Sequence, residues 1–420
     1  MKMNKMKNAF LFLILAILST LPARAEIRVD ADFPGGNVLV DSIDQEANVV
    51  CARPDLRDTK SDYFYFNFRV TGAENRTVTF KFPTKSASFG PVGPNVSTDG
   101  GKTWHYLGEK DFLDSGKIFP ADQHEFTWTF GPEDSDVRFA FCMPYTQSNW
   151  DEFIAQYRTR EDVRFETLCR SRSGKHDVEL FRVPYLGEGK PRFYIVFTAR
   201  HHACEASASP VMEGVIQFCL SDAPEAQWLR QNAEIIFIPF MDKDGVEDGD
   251  QGKNRNPHDH NRDYAQELYP SVKAFKALIL KETEGLPIVF MDLHAPGSRG
   301  EHYYSHGPIG MEQMNVIWNR FREKLAENQK DGVLKYDPKQ DVPGKSEGYN
   351  SIRSFTGKNG DLCSSRVWMQ GLPNVYFANC MEFGYCLCGH AILTPESGRE
   401  LGRNVMKTLA EILEEDFAKE

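Results

Sequence analysis

Two stretches of this chain carry side chains suited to holding a metal ion. In Arg200-His201-His202-Ala203-Cys204-Glu205 a histidine and a glutamate stand three residues apart, just after an apolar run ending at Phe197. Imidazole nitrogen and carboxylate oxygen are zinc donors, and a catalytic zinc site takes three protein ligands and keeps a fourth position for water. Such a pair recurs by chance in long chains, so a third donor is needed. It stands at the end of a second apolar run, Ile288-Val289-Phe290-Met291-Asp292-Leu293-His294. Ligands at the carboxyl ends of neighbouring strands in an open α/β sheet converge on one crevice, which makes His294 the third candidate. Asp292 is either the carboxylate that accepts the other N–H of a ligating imidazole or a buried structural residue. By chemistry alone His201 is as able a ligand as its neighbour. Cys204 is either a competing thiolate or a small buried residue.

Other residue patterns suit a reaction at such a centre. A polar loop follows Asp242-Lys243-Asp244-Gly245-Val246 and ends in Asp259-His260-Asn261-Arg262-Asp263. A guanidinium offers a planar fork that meets a carboxylate bidentately, so Arg262 suits a substrate bearing one. His258 and His260 read as loop residues. Glu382 closes the apolar segment Val375-Tyr376-Phe377-Ala378 as part of Asn379-Cys380-Met381-Glu382, where it is a base or an ion-pair partner.

Together these motifs resemble the zinc carboxypeptidase (funnelin) family, and its cytosolic-carboxypeptidase-like branch in particular. The resemblance implies one zinc ion held by His202, Glu205 and His294, with the register fixed on His202 because only it has the family's spacing to Glu205. It implies that Asn261 and Arg262 hold the free carboxylate of a peptide substrate. Glu382 matches the general base, which calls for a pKa tuned towards the working pH. Arg255 matches the arginine that steadies the oxyanion, although it stands closer to Arg262 than in that branch, and Lys253 is the alternative. Arg366, in Ser364-Ser365-Arg366-Val367-Trp368, resembles the arginine of an Ala-Arg-Val stretch that faces the pocket for the C-terminal side chain, which implies a preference for acidic ends. Asp242 and Lys243 depart from the family's Asn and Pro and alter the turn more than the chemistry. The family's hydroxyl-bearing tyrosine has no clear match; Tyr349 is the nearest candidate and stays outside the site.

The elements that must position these residues fall into two groups. From residue 27 to about 145, short alternating runs such as Tyr63-Phe64-Tyr65-Phe66-Asn67-Phe68 and Thr77-Val78-Thr79-Phe80-Lys81-Phe82 predict half-buried strands of an antiparallel β-sandwich. Its place before the catalytic motifs resembles the N-terminal β-domain of cytosolic carboxypeptidases. From Thr167 the apolar runs at 193–197, 235–240, 288–293 and 375–378 are nearly continuous, as in a sheet covered by helices on both faces. Helices are predicted at 150–157, 210–220, 271–282, 311–328 and 395–417. The expected fold is therefore an α/β domain with the mixed sheet of zinc carboxypeptidases, residues 151–420, preceded by an antiparallel β-sandwich, residues 26–150.

The start of the chain, a basic head followed by the apolar block from Ala9 to Leu18 and then Ala23-Arg24-Ala25, has the form of a secretory signal peptide over residues 1–25. Its core is too short to span a bilayer comfortably and no second run approaches spanning length, so no stable membrane span is expected in the mature chain, which would be exported to periplasm or medium. A hydrophobic share of 41% and a charged share of 26% are those of an ordinary globular protein. The formal charge of -11, with no basic stripe, argues against nucleic acid as a partner. Nine cysteines leave at least one thiol unpaired whatever disulfides form. The reading that gathers these features is an exported zinc carboxypeptidase. The rivals are a zinc amidohydrolase acting on muropeptides or acyl-amino acids and an inactive, peptidase-like binding protein.

Overall fold

The computed structural model describes residues 25–418, apart from 62, 84–88, 346, 349 and 358. The expected signal peptide therefore lies outside the described residues except for Ala25, and so does Tyr349.

Alternation of apolar and polar residues produces a run of short strands ahead of the catalytic motifs: β1 (Arg28–Asp30), β2 (Leu39–Asp44), β3 (Val49–Arg53), β4 (Asn67–Thr71), β5 (Thr77–Lys81), β6 (Asn95–Ser97) and β7 (His105–Tyr106), then helix α1 (Glu109–Ser115), β8 (Glu125–Thr129) and β9 (Val137–Ala140). Side chains two apart share a face, so Phe68 and Val70, Val78 and Phe80, and Val137 and Phe139 all point inward and are fully buried. The strands form two sheets, ordered β1-β4-β9-β6-β7 and β2-β3-β5-β8. Phe80 of one sheet meets Phe139 of the other with ring centroids 4.9 Å apart, and Phe126 meets Phe139 at 5.2 Å. One pair departs from the all-antiparallel expectation, because β3 and β5 run parallel. Between them the chain crosses to the other sheet as β4 and returns, which is the crossover that a parallel pair requires. Side-chain alternation fixes which face is buried but carries no information on strand direction.

Helix α2 (Gln147–Ala155) runs across the expected domain junction and leads into β10 (Arg164–Arg170), β11 (Asp177–Val183) and β12 (Phe193–Ala199). There follow α3 (Ala208–Cys219), α4 (Pro224–Asn232), β13 (Ala233–Ile238), α5 (Lys243–Asp248), α6 (Pro270–Glu282), β14 (Ile288–His294), β15 (Tyr304–Ser305), α7 (Glu312–Asn328), α8 (Ile352–Thr356), α9 (Ser365–Gln370), β16 (Val375–Glu382) and α10 (Pro395–Phe417). Seven strands form one mixed sheet in the order β10-β11-β13-β12-β14-β16-β15. Its centre, β13-β12-β14-β16, is parallel, and the pairs at either edge are antiparallel. Every residue of β12 and β14 is buried, which explains why these strands read as continuous apolar runs. Because the four central strands point the same way, their carboxyl ends open on one side of the sheet.

Helices α3 and α10 pack against each other. Gly402 makes this possible, since a Cβ at that position would lie 2.0 Å from the carbonyl oxygen of Val211 in α3. Gly402→Ala should therefore push the helices apart and cost on the order of 1–3 kcal/mol, as overpacking does. A fall in the chemical-denaturation midpoint with an unchanged slope is the expected result; an unchanged midpoint would contradict this account of the crossing.

Candidate metal centre and cleft

The first two ligand candidates sit on the turn that leaves β12. Arg200 adopts a left-handed backbone with φ of 59°, uncommon for a residue with a side chain. Its buried guanidinium holds the turn by donating to the carbonyl of Tyr145 at 2.9 Å, Ser209 Oγ at 3.1 Å and the carbonyl of Ala203 at 3.1 Å. The turn carries His202 and Glu205 over the end of the sheet towards His294, the last residue of β14. His202 Nδ1 lies 3.0 Å from Glu205 Oε1, and His294 Nδ1 lies 2.7 Å from Glu205 Oε2. The donor atoms of the three residues all fall within 4.8 Å of one another.

This arrangement fits a zinc ion. Both imidazoles turn the same nitrogen, Nδ1, to the common centre, and each has a carboxylate behind its Nε2. Asp292 Oδ2 lies 2.8 Å from His294 Nε2, and Asp259 Oδ1 lies 3.5 Å from His202 Nε2. Such partners fix the tautomer that leaves Nδ1 free to ligate. Burial would raise the Glu205 carboxyl, but Lys253, His202 and His294 outweigh it and hold the group well below its usual range, ionised as a ligand must be. Three protein donors leave room for a fourth.

His201 is occupied elsewhere. Its Nδ1 lies 2.9 Å from Asp292 Oδ1 and its Nε2 lies 2.8 Å from Tyr264 Oη, so both ring nitrogens are engaged beneath the site. Asp292, fully buried, also accepts from Thr198 Oγ1 at 2.8 Å and from Ser365 Oγ. The sulfur of Cys204 lies 3.5 Å from Tyr385 Oη, and burial pushes the thiol up to about 11, as suits a packed residue rather than a thiolate ligand. All nine cysteines are free thiols in the structure.

The centre opens into a cleft of about 1240 Å³ whose wall includes Asn261, Arg262, Arg366 and Glu382 from the α/β part and Lys60, Tyr63 and Phe64 from the β-sandwich. Asn261 is held by the Ser365 amide, which donates to its Oδ1 at 2.9 Å, and its Nδ2 lies 2.8 Å from His294 Nε2. Arg262 donates to the Asn261 carbonyl at 2.7 Å and lies over the ring of Phe355 at 5.4 Å. Arg366, buried, donates to the Gly307 carbonyl at 2.8 Å and to Asn350 Oδ1 at 2.7 Å, and covers the other part of the Phe355 surroundings at 4.8 Å. Glu382, the last residue of β16, lies beside His294 in the sheet register.

Two expectations are corrected by this geometry. Arg255 does not stand ready for an oxyanion: its Nε, Nη1 and Nη2 reach Asp58 at 2.8 Å, Asp242 at 2.6 Å and Asp250 at 2.9 Å, so the guanidinium is spent on three carboxylates. Lys253 reaches the metal centre instead, with Nζ 2.6 Å from Glu205 Oε1 and donating to the carbonyl of Ala295 at 2.8 Å. Burial would lower Lys253, but the charges of Glu205 and Glu382 outweigh it and keep the ammonium protonated. The second correction concerns Glu382, whose carboxyl is not tuned upwards. Burial alone would raise it, but the hydrogen bond from His306 Nε2 at 3.2 Å and the charges of His306 and His294 hold it below its ordinary value.

Sequence reasoning missed His306 and the role of Asp259. A two-residue strand carries no periodic signal that would have set His306 opposite β16. Asp259 is adjacent to the Asn-Arg pair, yet its contact with His202 depends on a loop path that no pattern encodes.

Residues 163–282 match the zinc carboxypeptidase family model. The chain is 26% identical over 396 residues to cytosolic carboxypeptidase 2 of Xenopus tropicalis, an alignment covering 87% of this chain and 39% of that protein. It is 26% identical over 316 residues to cytosolic carboxypeptidase 6 of Caenorhabditis elegans, covering 70% of this chain and 67% of the relative. The chain thus spans well under half the length of the Xenopus protein. The crystal structure of a metallo-carboxypeptidase from Burkholderia cenocepacia superposes with a TM-score of 0.70 at 18% identity, covering 93% of this chain and 100% of the other, which establishes a shared fold.

Removing the carboxylate behind His202 should loosen its hold on metal. Asp259→Asn is expected to weaken zinc binding roughly 10–100-fold in competition with a chelator of known affinity. Wild-type affinity in the variant would show that Asp259 does not orient the ligand.

Proposed function

We propose that this chain, which carries a zinc carboxypeptidase domain, hydrolyses the C-terminal peptide bond of peptides with a free terminal carboxylate. The observation that carries this reading is the convergence of His202 Nδ1, Glu205 and His294 Nδ1 at the floor of a cleft that also holds an ionised Glu382 and a protonated Lys253. Zinc held by the three ligands would supply Lewis acidity to a scissile carbonyl and to water.

The protein's own groups account for the rest. Arg262, at the cleft wall, offers its guanidinium to the terminal carboxylate and so sets which peptide bond reaches the centre. Asn261, held by the Ser365 amide, places that arginine beside the ligand ring. Glu382 accepts the proton of the attacking water and returns it to the leaving amine. Lys253 steadies negative charge as it develops on the carbonyl oxygen, in the place the family gives to arginine. A point charge on a flexible stem replaces a planar fork there, so the substitution preserves charge but not bidentate geometry.

The pocket for the C-terminal side chain lies by Arg366. Its Nη1 and Nη2 each serve protein acceptors, so an acidic side chain would meet the charge of the guanidinium in a water-poor wall. This supports a preference for Glu or Asp at the cleaved end.

Glu382→Gln should keep stoichiometric zinc by elemental analysis while lowering kcat by about 10²–10⁴-fold, the range of general acid–base catalysis. Release at the wild-type rate would remove Glu382 from its role, and release from muropeptides but not peptides would move the substrate class. On matched peptides ending in Glu, Lys or Phe, kcat/KM should be highest for Glu, and Arg366→Met should lower the value for Glu at least tenfold more than that for Phe. Faster removal of Phe or Lys by the wild type would refute the acidic preference.

A further inference from the structure

Strands β15 and β16 assemble another set of metal donors beside the first. Residues two apart on a strand share a face, so Cys380 and Glu382 point the same way from β16. β15 runs antiparallel to it, with Tyr304 opposite Glu382 and Ser305 opposite Met381. One step further, the amide of His306 donates to the carbonyl of Cys380 at 2.9 Å, which sets the histidine across from the cysteine. Directly opposed residues share a face with Cβ atoms roughly 4.5–5.5 Å apart. The outcome is that His306 Nε2 lies 3.2 Å and Cys380 Sγ 4.0 Å from the same oxygen, Oε1 of Glu382, and all three donor atoms fall within 4.8 Å of one another.

These separations are those of ligands around one ion. Bonds of about 2.0 Å to nitrogen and oxygen and about 2.3 Å to sulfur, arranged tetrahedrally, place the donors roughly 3.3–3.5 Å apart. The nitrogen is already there and the sulfur needs a small rotation about its side chain. All three residues are buried, yet all three line the cleft, so an ion can reach them.

We propose that His306, Cys380 and Glu382 form a second cation site, apart from His202, Glu205 and His294, that takes a thiophilic divalent ion such as zinc and, when filled, withdraws the Glu382 carboxylate from proton transfer. The site itself rests on geometry alone; the inhibitory consequence rests on the reading of Glu382 as the base. Nitrogen, sulfur and oxygen donors together select zinc, cadmium or cobalt over magnesium or calcium. An imidazole ligates through the nitrogen that carries no hydrogen, so filling the site moves the ring hydrogen of His306 from Nε2 to Nδ1 and replaces its hydrogen bond to Glu382 by the metal bond. A thiol ligates as the thiolate, so ion binding forms the sulfur–metal bond and releases the Cys380 thiol proton to solvent. The charge of Arg366 opposes a further cation, which makes this site the weaker of the two.

Protein stripped with a chelator and titrated with zinc, and separately with cobalt(II) as a spectroscopic probe, tests the site. The wild type should bind two equivalents, the second weaker, and cobalt should raise a near-ultraviolet thiolate-to-metal band with that second equivalent. Cys380→Ser should lose the band and weaken the second equivalent at least tenfold, whereas His202→Ala should lose the first equivalent and keep the band. One equivalent and no thiolate band in the wild type would overturn the proposal. In peptide hydrolysis, excess zinc should inhibit, with a half-inhibiting concentration at least tenfold higher in His306→Gln, each protein being referred to its own uninhibited rate. Binding without inhibition would overturn the consequence and leave the site. A protein that shows the band but cleaves no peptide would refute the peptidase reading and leave the site standing.

Discussion

A carboxylate with no exposure to solvent, that of Glu205, sits where the central strands end. Burying an isolated charge is so unfavourable that the group would neutralise instead, unless other charges and donors meet it. Here they come from separate parts of the chain: His202 from the same turn, His294 from β14 and Lys253 from the loop after α5. Asp292, buried beneath, repeats the logic one layer down with Thr198, His201, His294 and Ser365. The geometry of the cleft follows from satisfying these two carboxylates, because each partner must end within hydrogen-bonding distance of a fixed oxygen.

The β-sandwich takes part in that arrangement. Gln251 exchanges two hydrogen bonds with the backbone of Tyr65, at 2.9 and 2.8 Å, and the amide of Lys60 donates to the carbonyl of Asn254 at 2.9 Å. Arg255 binds Asp58 from the sandwich and Asp242 and Asp250 from the α/β part, so a residue expected to do chemistry acts as the clasp between them. Between these contacts lies Gly252, with φ of 74° and so little space that a Cβ would lie 2.2 Å from the amide nitrogen of Ala203. The loop is thereby pressed against the ligand-bearing turn, and Lys253 is delivered to Glu205. The sandwich thus positions a cleft charge as well as contributing Lys60, Tyr63 and Phe64 to the wall.

What could be read from the sequence is what depends on local periodicity. Continuous apolar runs announced β12, β13, β14 and β16, and the ends of two of them announced His294 and Glu382, because a strand fixes where its last side chain points, whereas His202, on the turn after β12, was told from His201 only by the resemblance. The helices at 395–417 and 271–282 were visible for the same reason. Lys253 and Arg255 stand two apart in a loop with no repeat, so only their partners decide which reaches Glu205. The parallel pairing of β3 with β5 and the approach of His306 to β16 are likewise long-range facts, set by how the chain crosses between sheets and not by residue alternation.

The low pKa direction of Glu382 belongs to the same electrostatic design. A carboxylate held ionised is a weaker base than one tuned upwards, and by Brønsted behaviour it would move protons less readily from ordinary water. It would suffice where positive charge made the water acidic, which the Lys253 ammonium and a zinc ion held by His202, Glu205 and His294 would supply. His306 fixes the orientation of the Glu382 carboxylate through a hydrogen bond from the neighbouring strand and lowers its basicity in the same contact. Orientation and base strength are therefore set by one residue pair, and the strand register that creates the pair also brings Cys380 alongside.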